Sequence, residues 1–447
     1  MANLHRALSA LPRIVEIKLS FPDTRLPISL RLLSCHAAKE LRKLKIIGPT
    51  ASFVNLPPHI FSDTPPPYLR LLKLEYCSFH HYTSHAALYP PSLTSLSLVW
   101  CPGAFGSMEQ VLSVFRSLAS LRYLQLSGPR TLPVYFERHD LDVPREPPYL
   151  PQLKYFCADL PFVVMANLLH TIRFPTTTGL TIGMRFLDNE ISWDIPSRRL
   201  LDFSTRIFSP AREASMAYTN IRASLTMLET ELPQFDLSLS SLIGGSSRPA
   251  CIPDQLDVVF GWNDLVRADR VEDLARQFVQ TLPLPASDNS LVSAAQLRFR
   301  QDERTSMIHE LPEHGWWRLF EHTKLDDLHL IEGSAIQDGL AWLERGPNRL
   351  ATYSDITSLS VVSAWLYDRE LHTRILDHLA WCMDNPIGHF QRLQVRFIDC
   401  YMTKEATKPF QEKLGEDMVE ILEGYDDDFW AQMLVEDELK LQEENEV

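Results

Sequence analysis

The sequence predicts an α/β solenoid, with short parallel strands stacked along a concave face and helices along the convex one. Two stretches carry that expectation. Residues 65–77 read PPPYLRLLKLEYC and residues 90–101 read PPSLTSLSLVWC, so proline twice precedes Leu-x-x-Leu-x-Leu-x-x-Cys, and the second copy starts 24 residues after the first. A third observation is that degenerate copies recur along most of the chain, mostly at steps of 24–34 residues, within the periods of repeat architectures. The expected fold is therefore a leucine-rich-repeat solenoid (horseshoe) with a parallel concave sheet, convex helices and irregular repeats.

In chain order, the first copies are Ile14, Ile17 and Leu19, then Leu41, Leu44 and Ile46. Leu69, Leu72, Leu74 and Cys77 follow, then Leu93, Leu96, Leu98 and Cys101, then Leu121, Leu124 and Leu126. Shorter echoes are Leu153 with Phe156, Leu180 with Ile182, Leu256 with Val258, and Leu297 with Phe299. The last are Leu325, Leu328 and Leu330; Ile356, Leu359 and Val361; and Phe390, Leu393 and Val395. Hydrophobes at period two over so short a run predict a strand with one buried face, its middle position falling at 258 and 393 in two of the later copies.

Helices are expected between strands. Ser107-Met-Glu-Gln110 is a capping box ahead of Val111, Leu112, Phe115 and Leu118. Asp269 opens a second helix with Val271, Leu274, Phe278 and Leu282 inward, ending at Pro283. Ser334 to Gln337 caps a third, burying Leu340 and Leu343, and Leu371, Ile375, Leu379 and Met383 make a fourth. Prolines at 57–58, 65–67, 90–91 and within 144–151 end helices and hold the residue before them extended.

The solenoid is expected over residues 1–405, with 183–252 as degenerate repeats or an insertion, the repeats (weak candidates at 214–218 and 235–239) being favoured. Residues 406–447 read as an acidic C-terminal cap and tail. From Glu412 onward fourteen acidic residues face only Lys413 and Lys440, which accounts for twelve of the formal net charge of −14. Leu414, Met418, Ile421, Leu422, Phe429, Trp430, Met433 and Leu434 suggest a helix capping the last repeat, with EDELKLQEENEV frayed beyond it.

Hydrophobic content of 45% and charged content of 22% describe a soluble globular chain with enough apolar surface for a long core. No apolar run approaches the roughly 20 residues of a membrane span, and the start lacks a secretory signal. Seven cysteines without a Cys-x-x-Cys pair suit reduced thiols, hence a cytoplasmic or nuclear location. Cys77 and Cys101 share one repeat position, where a small side chain fits inside the turn after the strand.

Catalytic, cofactor and metal motifs are absent from the reading. No Gly-x-Gly occurs, which removes the dinucleotide fingerprint and the phosphate loop. His309-Glu-Leu-Pro-Glu-His314 spaces its histidines five apart and breaks its helix at Pro312, so a zinc site is not expected; His80, His81 and His85 read as solvated loop residues. No Gly-x-Ser-x-Gly elbow is present. The negative balance disfavours nucleic acid.

PPHIFSDTPPPYLRLLKLEYCSF, followed by LTSLSL and LRYLQLSG, resembles the repeat region of fungal F-box and leucine-rich-repeat proteins of the basidiomycete type, over roughly residues 1–400. The resemblance implies a receptor whose F-box docks on the adaptor of a cullin-type ubiquitin ligase while its repeats hold the substrate. Leu56-Pro-Pro-His-Ile60 echoes an F-box opening, but the next repeat strand leaves no room for F-box helices. The expectation is a monomeric, non-enzymatic recognition module, with the adaptor as partner only if an F-box lies upstream; the alternative is a free-standing interaction scaffold.

Residues alternating with the buried leucines should line the groove. These are Lys18, Lys43, Lys45, Lys73 and Glu75, then Ser95, Ser97, Tyr123, Gln125 and Tyr155, and later Arg298, Arg300, Asp327 and His329. The lysines make the first repeats basic and the tyrosines offer rigid contact area. A protein partner with an acidic segment is expected there. The Trp316-Trp317 pair is a further candidate patch.

Overall fold

In the computed structural model, the described residues are 11–21, 30, 32–34, 36–50, 52–79, 86–138, 146–186, 193–213, 220–227, 234–240, 255–262, 268–282, 294–301, 327–331, 358–362, 373, 377, 394–398, 400, 408–412, 415 and 419–422. The chain is α/β and forms two compact units: Met1–Ala217 with Ile243–Pro283, and Tyr218–Leu242 with Leu284–Val447.

Strands follow in chain order as β1 (Glu16–Ser20), β2 (Lys43–Ile47), β3 (Val54–Asn55), β4 (Leu71–Glu75), β5 (Cys77–Ser78), β6 (Ser95–Val99), β7 (Tyr123–Ser127), β8 (Tyr155–Pro161) and β9 (Gly179–Phe186). The remainder are β10 (Asn220–Met227), β11 (Gln234–Ser240), β12 (Gln255–Trp262), β13 (Ala294–Gln301), β14 (Asp327–Ile331), β15 (Ser358–Val362), β16 (Gln394–Ile398) and β17 (Val419–Leu422). In the first unit β1, β2, β4, β6, β7, β8, β9 and β12 lie side by side, each parallel to the next. β3 and β5 make a separate parallel pair.

Register explains why these strands form where the leucines are. Leu44, Leu72, Leu96, Leu124, Phe156, Leu180 and Leu256 are direct partners in succession. Each has no exposed surface, and burying such a side chain contributes about 1.5–3 kcal/mol. Ile46, Leu74, Leu98, Leu126, Ala158, Ile182 and Val258 form a second buried row two residues on.

After β4 and β6 the chain turns sharply. Tyr76 and Trp100 adopt left-handed backbone angles (φ 51° and 53°), which bulky side chains avoid. Their rings stack at 6.3 Å. The turn sends the next residue inward: Cys101 Sγ donates to the carbonyl of Leu74 at 3.3 Å, and Cys77 Sγ to that of Glu75 at 3.3 Å. A hydrogen bond with the Cys101 thiol, and then burial, push the Cys77 thiol far above the ordinary range, so it stays a neutral donor.

Connections in the first repeats are short: three-ten turns at Leu32–Ser34 and Ala86–Leu88, and at Ile60–Asp63 a left-handed turn, with φ 56°, 53° and 58° at Phe61, Ser62 and Asp63. Longer helices begin after β6: α1 (Met108–Ser117), α2 (Phe162–Thr171), α3 (Asp194–Glu213) and α4 (Ala268–Thr281). Ser107 caps α1 as expected, accepting from the Gln110 amide at 3.2 Å, while Gln110 Oε1 accepts from Gly106 N rather than from the cap residue. α2 is buried nearly all round; its Asn167 donates to the carbonyls of Phe136 and Arg138 at 2.7 and 2.8 Å, which ties down the preceding loop. α4 buries Val271, Leu274 and Phe278, with Leu282 just beyond it, as the spacing predicts. Of the third and fourth expected helices, residues 334–346 lie outside the described residues, and only Thr373 and Asp377, both helical and exposed, are described from 371–383.

In the second unit β10 pairs antiparallel with β11 and parallel with β13, and β13 to β17 continue in parallel. The 235–239 candidate is thus no repeat but an antiparallel strand, since Ala223 faces Leu237; 214–218 lies outside the described residues. The middle positions also shift at two copies. Leu256, not Val258, pairs with Leu180, and Val395, not Leu393, pairs with Leu359. In the tail, Ile421 and Leu422 are on a strand, in register with Phe397 and Ile398, instead of on a helix. Val419 and Ile421 flank Glu420 at period two, which is a strand pattern. Leu414, Met418, Phe429, Trp430, Met433 and Leu434 lie outside the described residues.

Because Leu96 is central and fully buried in this register, Leu96→Ala should lower the unfolding free energy by about 2–5 kcal/mol. Urea titration of the full chain followed by circular dichroism measures it.

Candidate functional site

The face of the first unit opposite the leucine rows is where the sequence places its binding residues. A strand turns alternate side chains to opposite faces, and parallel pairing sets equivalent residues next to each other. Lys18, Lys45, Lys73, Ser97, Gln125, Cys157, Thr181 and Asp257 form one row, a residue per strand. Beside it run Glu16, Lys43, Leu71, Ser95, Tyr123, Tyr155 and Gly179. The structure therefore brings together ten of the fourteen predicted residues: Lys18, Lys43, Lys45, Lys73, Ser95, Ser97, Tyr123, Gln125 and Tyr155 in these rows, with Ser97 buried, and Glu75 two residues beyond Lys73.

The face changes character along the rows. At the β1 end, Lys43 pairs with Glu16 at 3.4 Å and Lys73 with Glu75 at 2.6 Å. Lys18 and Lys45 have no ion pair among the described residues. The Lys43–Glu16 pair is exposed on both sides and contributes little to stability, about 0.2–1 kcal/mol.

The middle is aromatic and hydrogen-bonded. Tyr123 and Tyr155 stack at 5.5 Å with 12° between their rings. Gly179 makes room for this, since a Cβ there would sit 3.2 Å from the Tyr155 ring. Ser97 Oγ donates to Gln125 Oε1 at 2.8 Å, and the Tyr123 hydroxyl donates to the same oxygen at 3.3 Å. The Tyr155 and Thr181 hydroxyls lie 2.7 Å apart, and Thr181 Oγ1 donates to Asp257 Oδ2 at 3.3 Å. These bonds hold both rings in one orientation, so the tyrosines form a pre-organised platform.

The far end is set by residues the sequence reading did not select. Arg185 grips Asp159 with two bonds, Nε to Oδ1 at 2.9 Å and Nη2 to Oδ2. Gly183 is needed between them, because a Cβ there would lie 2.9 Å from Asp159 Oδ1. The strand phase carried the signal: β8 and β9 have seven and eight residues, so the alternation that selects Tyr155 also selects Asp159, Thr181 and Arg185. Cys157 is half-buried within this group. Burial first, and then the Asp159 and Asp257 carboxylates, raise its thiol above the ordinary range.

Arg298, Arg300, Asp327 and His329 belong to the second unit. Arg298 and His329 are partners across β13 and β14, Asp327 faces Gln296, and Arg300 faces Ile331. His80, His81, His85, His309, His314, Trp316 and Trp317 lie outside the described residues. Among the described residues no three His, Cys, Asp or Glu side chains are grouped to hold a metal ion, and no helix is long and apolar enough to cross a membrane. No family model and no curated protein matches the chain.

The raised Cys157 thiol gives a direct readout of this surface. At pH 8 less of it is thiolate than in an ordinary cysteine, so iodoacetamide should modify it more slowly than a free cysteine, despite its partial exposure. Asp159→Asn removes a carboxylate and releases the Arg185 cation, and should accelerate modification by about twofold to tenfold. Peptide mass spectrometry over a time course measures both rates.

Proposed function

We propose that the repeats of this chain are leucine-rich repeats and that the chain is a non-enzymatic module that captures another protein on this polar face. The observation that carries the reading is the row Lys18, Lys45, Lys73, in register on three successive strands and continued by the fixed tyrosine platform. Three cations on adjacent strands favour an acidic segment of a partner, while stacked tyrosines offer contact area at low entropic cost. The resemblance of the repeats to those of F-box receptors makes substrate recognition for a cullin-type ubiquitin ligase the first role to test.

A free-standing scaffold is the second reading, and one observation favours it. The Leu56–Ile60 stretch runs into the left-handed turn Ile60–Asp63, and β4 begins at Leu71. F-box helices do not occur in that interval.

Quantitative capture with the full chain and with K43E/K45E/K73E tests the module. Partners bearing acidic segments should be retained by the native chain and depleted at least about tenfold by the variant, with loss at rising salt. Equal capture by both chains discards this face as the binding site. Co-purification of the ligase adaptor separates the two roles: its presence supports the receptor and its absence the scaffold.

A further inference from the structure

A second line of positive charge runs along the edge of the same face, because the alternation breaks there: Arg42 N and Lys43 N both donate to the Val15 carbonyl, and both side chains are exposed between buried Leu41 and Leu44. The residue just before each strand continues the ladder: Arg70 N donates to the Arg42 carbonyl, Thr94 N to Arg70, Arg122 N to Thr94 and Lys154 N to Arg122, all at 2.8–2.9 Å. Arg42, Arg70, Arg122 and Lys154 are exposed. None has an ion pair among the described residues, and no acid stands in this row. In the sequence the row is a repeated dipeptide, Leu41-Arg42, Leu69-Arg70, Leu121-Arg122 and Leu153-Lys154, broken only by Leu93-Thr94.

We infer that this edge row and the lysine row flank one track for an extended acidic peptide that crosses the strands. The inference rests on the binding role proposed for the face and adds the ligand's chemistry, length and direction. Adjacent strands are about 4.8 Å apart, so Arg42 to Lys154 covers about 19 Å. An extended chain advancing about 3.3 Å per residue spans that distance in about six residues. Guanidinium groups bind carboxylates through paired N–H donors, which makes three arginines in one row a better match for Glu or Asp than lysines alone. The ligand is a peptide rather than a nucleic acid because single-stranded nucleic acid needs open aromatic faces for its bases. Tyr123 and Tyr155 stack on each other, and their hydroxyls are engaged by Gln125 and Thr181.

Fluorescence anisotropy of the full chain with fluorescein-labelled octaglutamate tests the track. R42E/R70E/R122E should weaken binding at least about tenfold, whereas the charge-matched R130E/R138E/R198E, reversing exposed arginines outside both rows, should change it less than about twofold. Tetraglutamate, too short for the row, should bind at least about tenfold more weakly than octaglutamate. No binding of octaglutamate, equal losses in the two triple variants, or tighter binding of labelled octathymidylate would overturn the inference. Should R42E/R70E/R122E lose the native thermal transition, R70E alone should still weaken binding by about threefold, and an unchanged affinity overturns the track. K45E/K73E separates the two proposals: a loss there without one in the arginine variant removes the track and leaves the lysine face as the binding site.

Discussion

One constraint governs the first unit: each strand must bond to the next in parallel and in a fixed register. A five-residue strand such as β4 buries only two leucines, Leu72 and Leu74, too little to stand alone. Set against β2 and β6, the same two residues become links in rows that run through Leu44, Leu72, Leu96 and Leu124. The apolar core is then continuous although each repeat contributes little, and slipping any strand by one residue would turn its leucines to solvent and its lysines inward. Turns serve the same register. The left-handed backbone at Tyr76 and Trp100 costs about 1–2 kcal/mol each, and it is offset by the ring stack and by delivery of Cys77 and Cys101 to carbonyls inside the fold.

Register also decides what the opposite face can do. Residues far apart in sequence become neighbours, so Thr181 reaches Asp257 across 76 positions and Asn167 fastens a loop about 30 residues earlier. A surface built this way is graded: cationic at β1 to β4, aromatic at β7 and β8, and closed by the Asp159–Arg185 clamp at β8 and β9. Rigid elements hold every part of it, and the glycines at 179 and 183 keep the aromatic and ionic groups from being displaced.

Legibility in the sequence follows from the same physics. Where a repeat keeps its leucines the strand was readable to the residue, as with Leu72, Leu96 and Leu124. Where the alternation continues past the phrase, hydrophobicity alone does not fix the phase, and Leu256 rather than Val258 holds the middle position. The β10–β11 hairpin was not readable because antiparallel pairing needs no repeat period; α3 could have been, since Leu200, Phe203, Ser204, Ile207 and Phe208 are buried at helical spacing. At Ile421 the apolar neighbours suggest a helix, while the Val-Glu-Ile alternation marks the strand that forms. Of the polar face, single residues were legible and their pairing was not: Lys73 was visible as a cation, but its bond to Glu75 depends on side-chain reach and not on spacing.

The lysine row bears most directly on function because folding does not call for it. Ser97, Gln125, Cys157 and Thr181 occupy the same register position on later strands, so a neutral side chain satisfies the sheet there. Like charges side by side on adjacent strands repel, a cost that neutral residues would avoid. Of Lys18, Lys45 and Lys73, Glu75 neutralises only the last among the described residues. The chain is strongly anionic and most of that charge lies beyond residue 411, so positive charge on this one face is a local feature and not a reflection of composition. A sheet that tolerates repulsion among its own side chains gains when an anion approaches, and that differential is what supports the proposed capture of an acidic segment on this face.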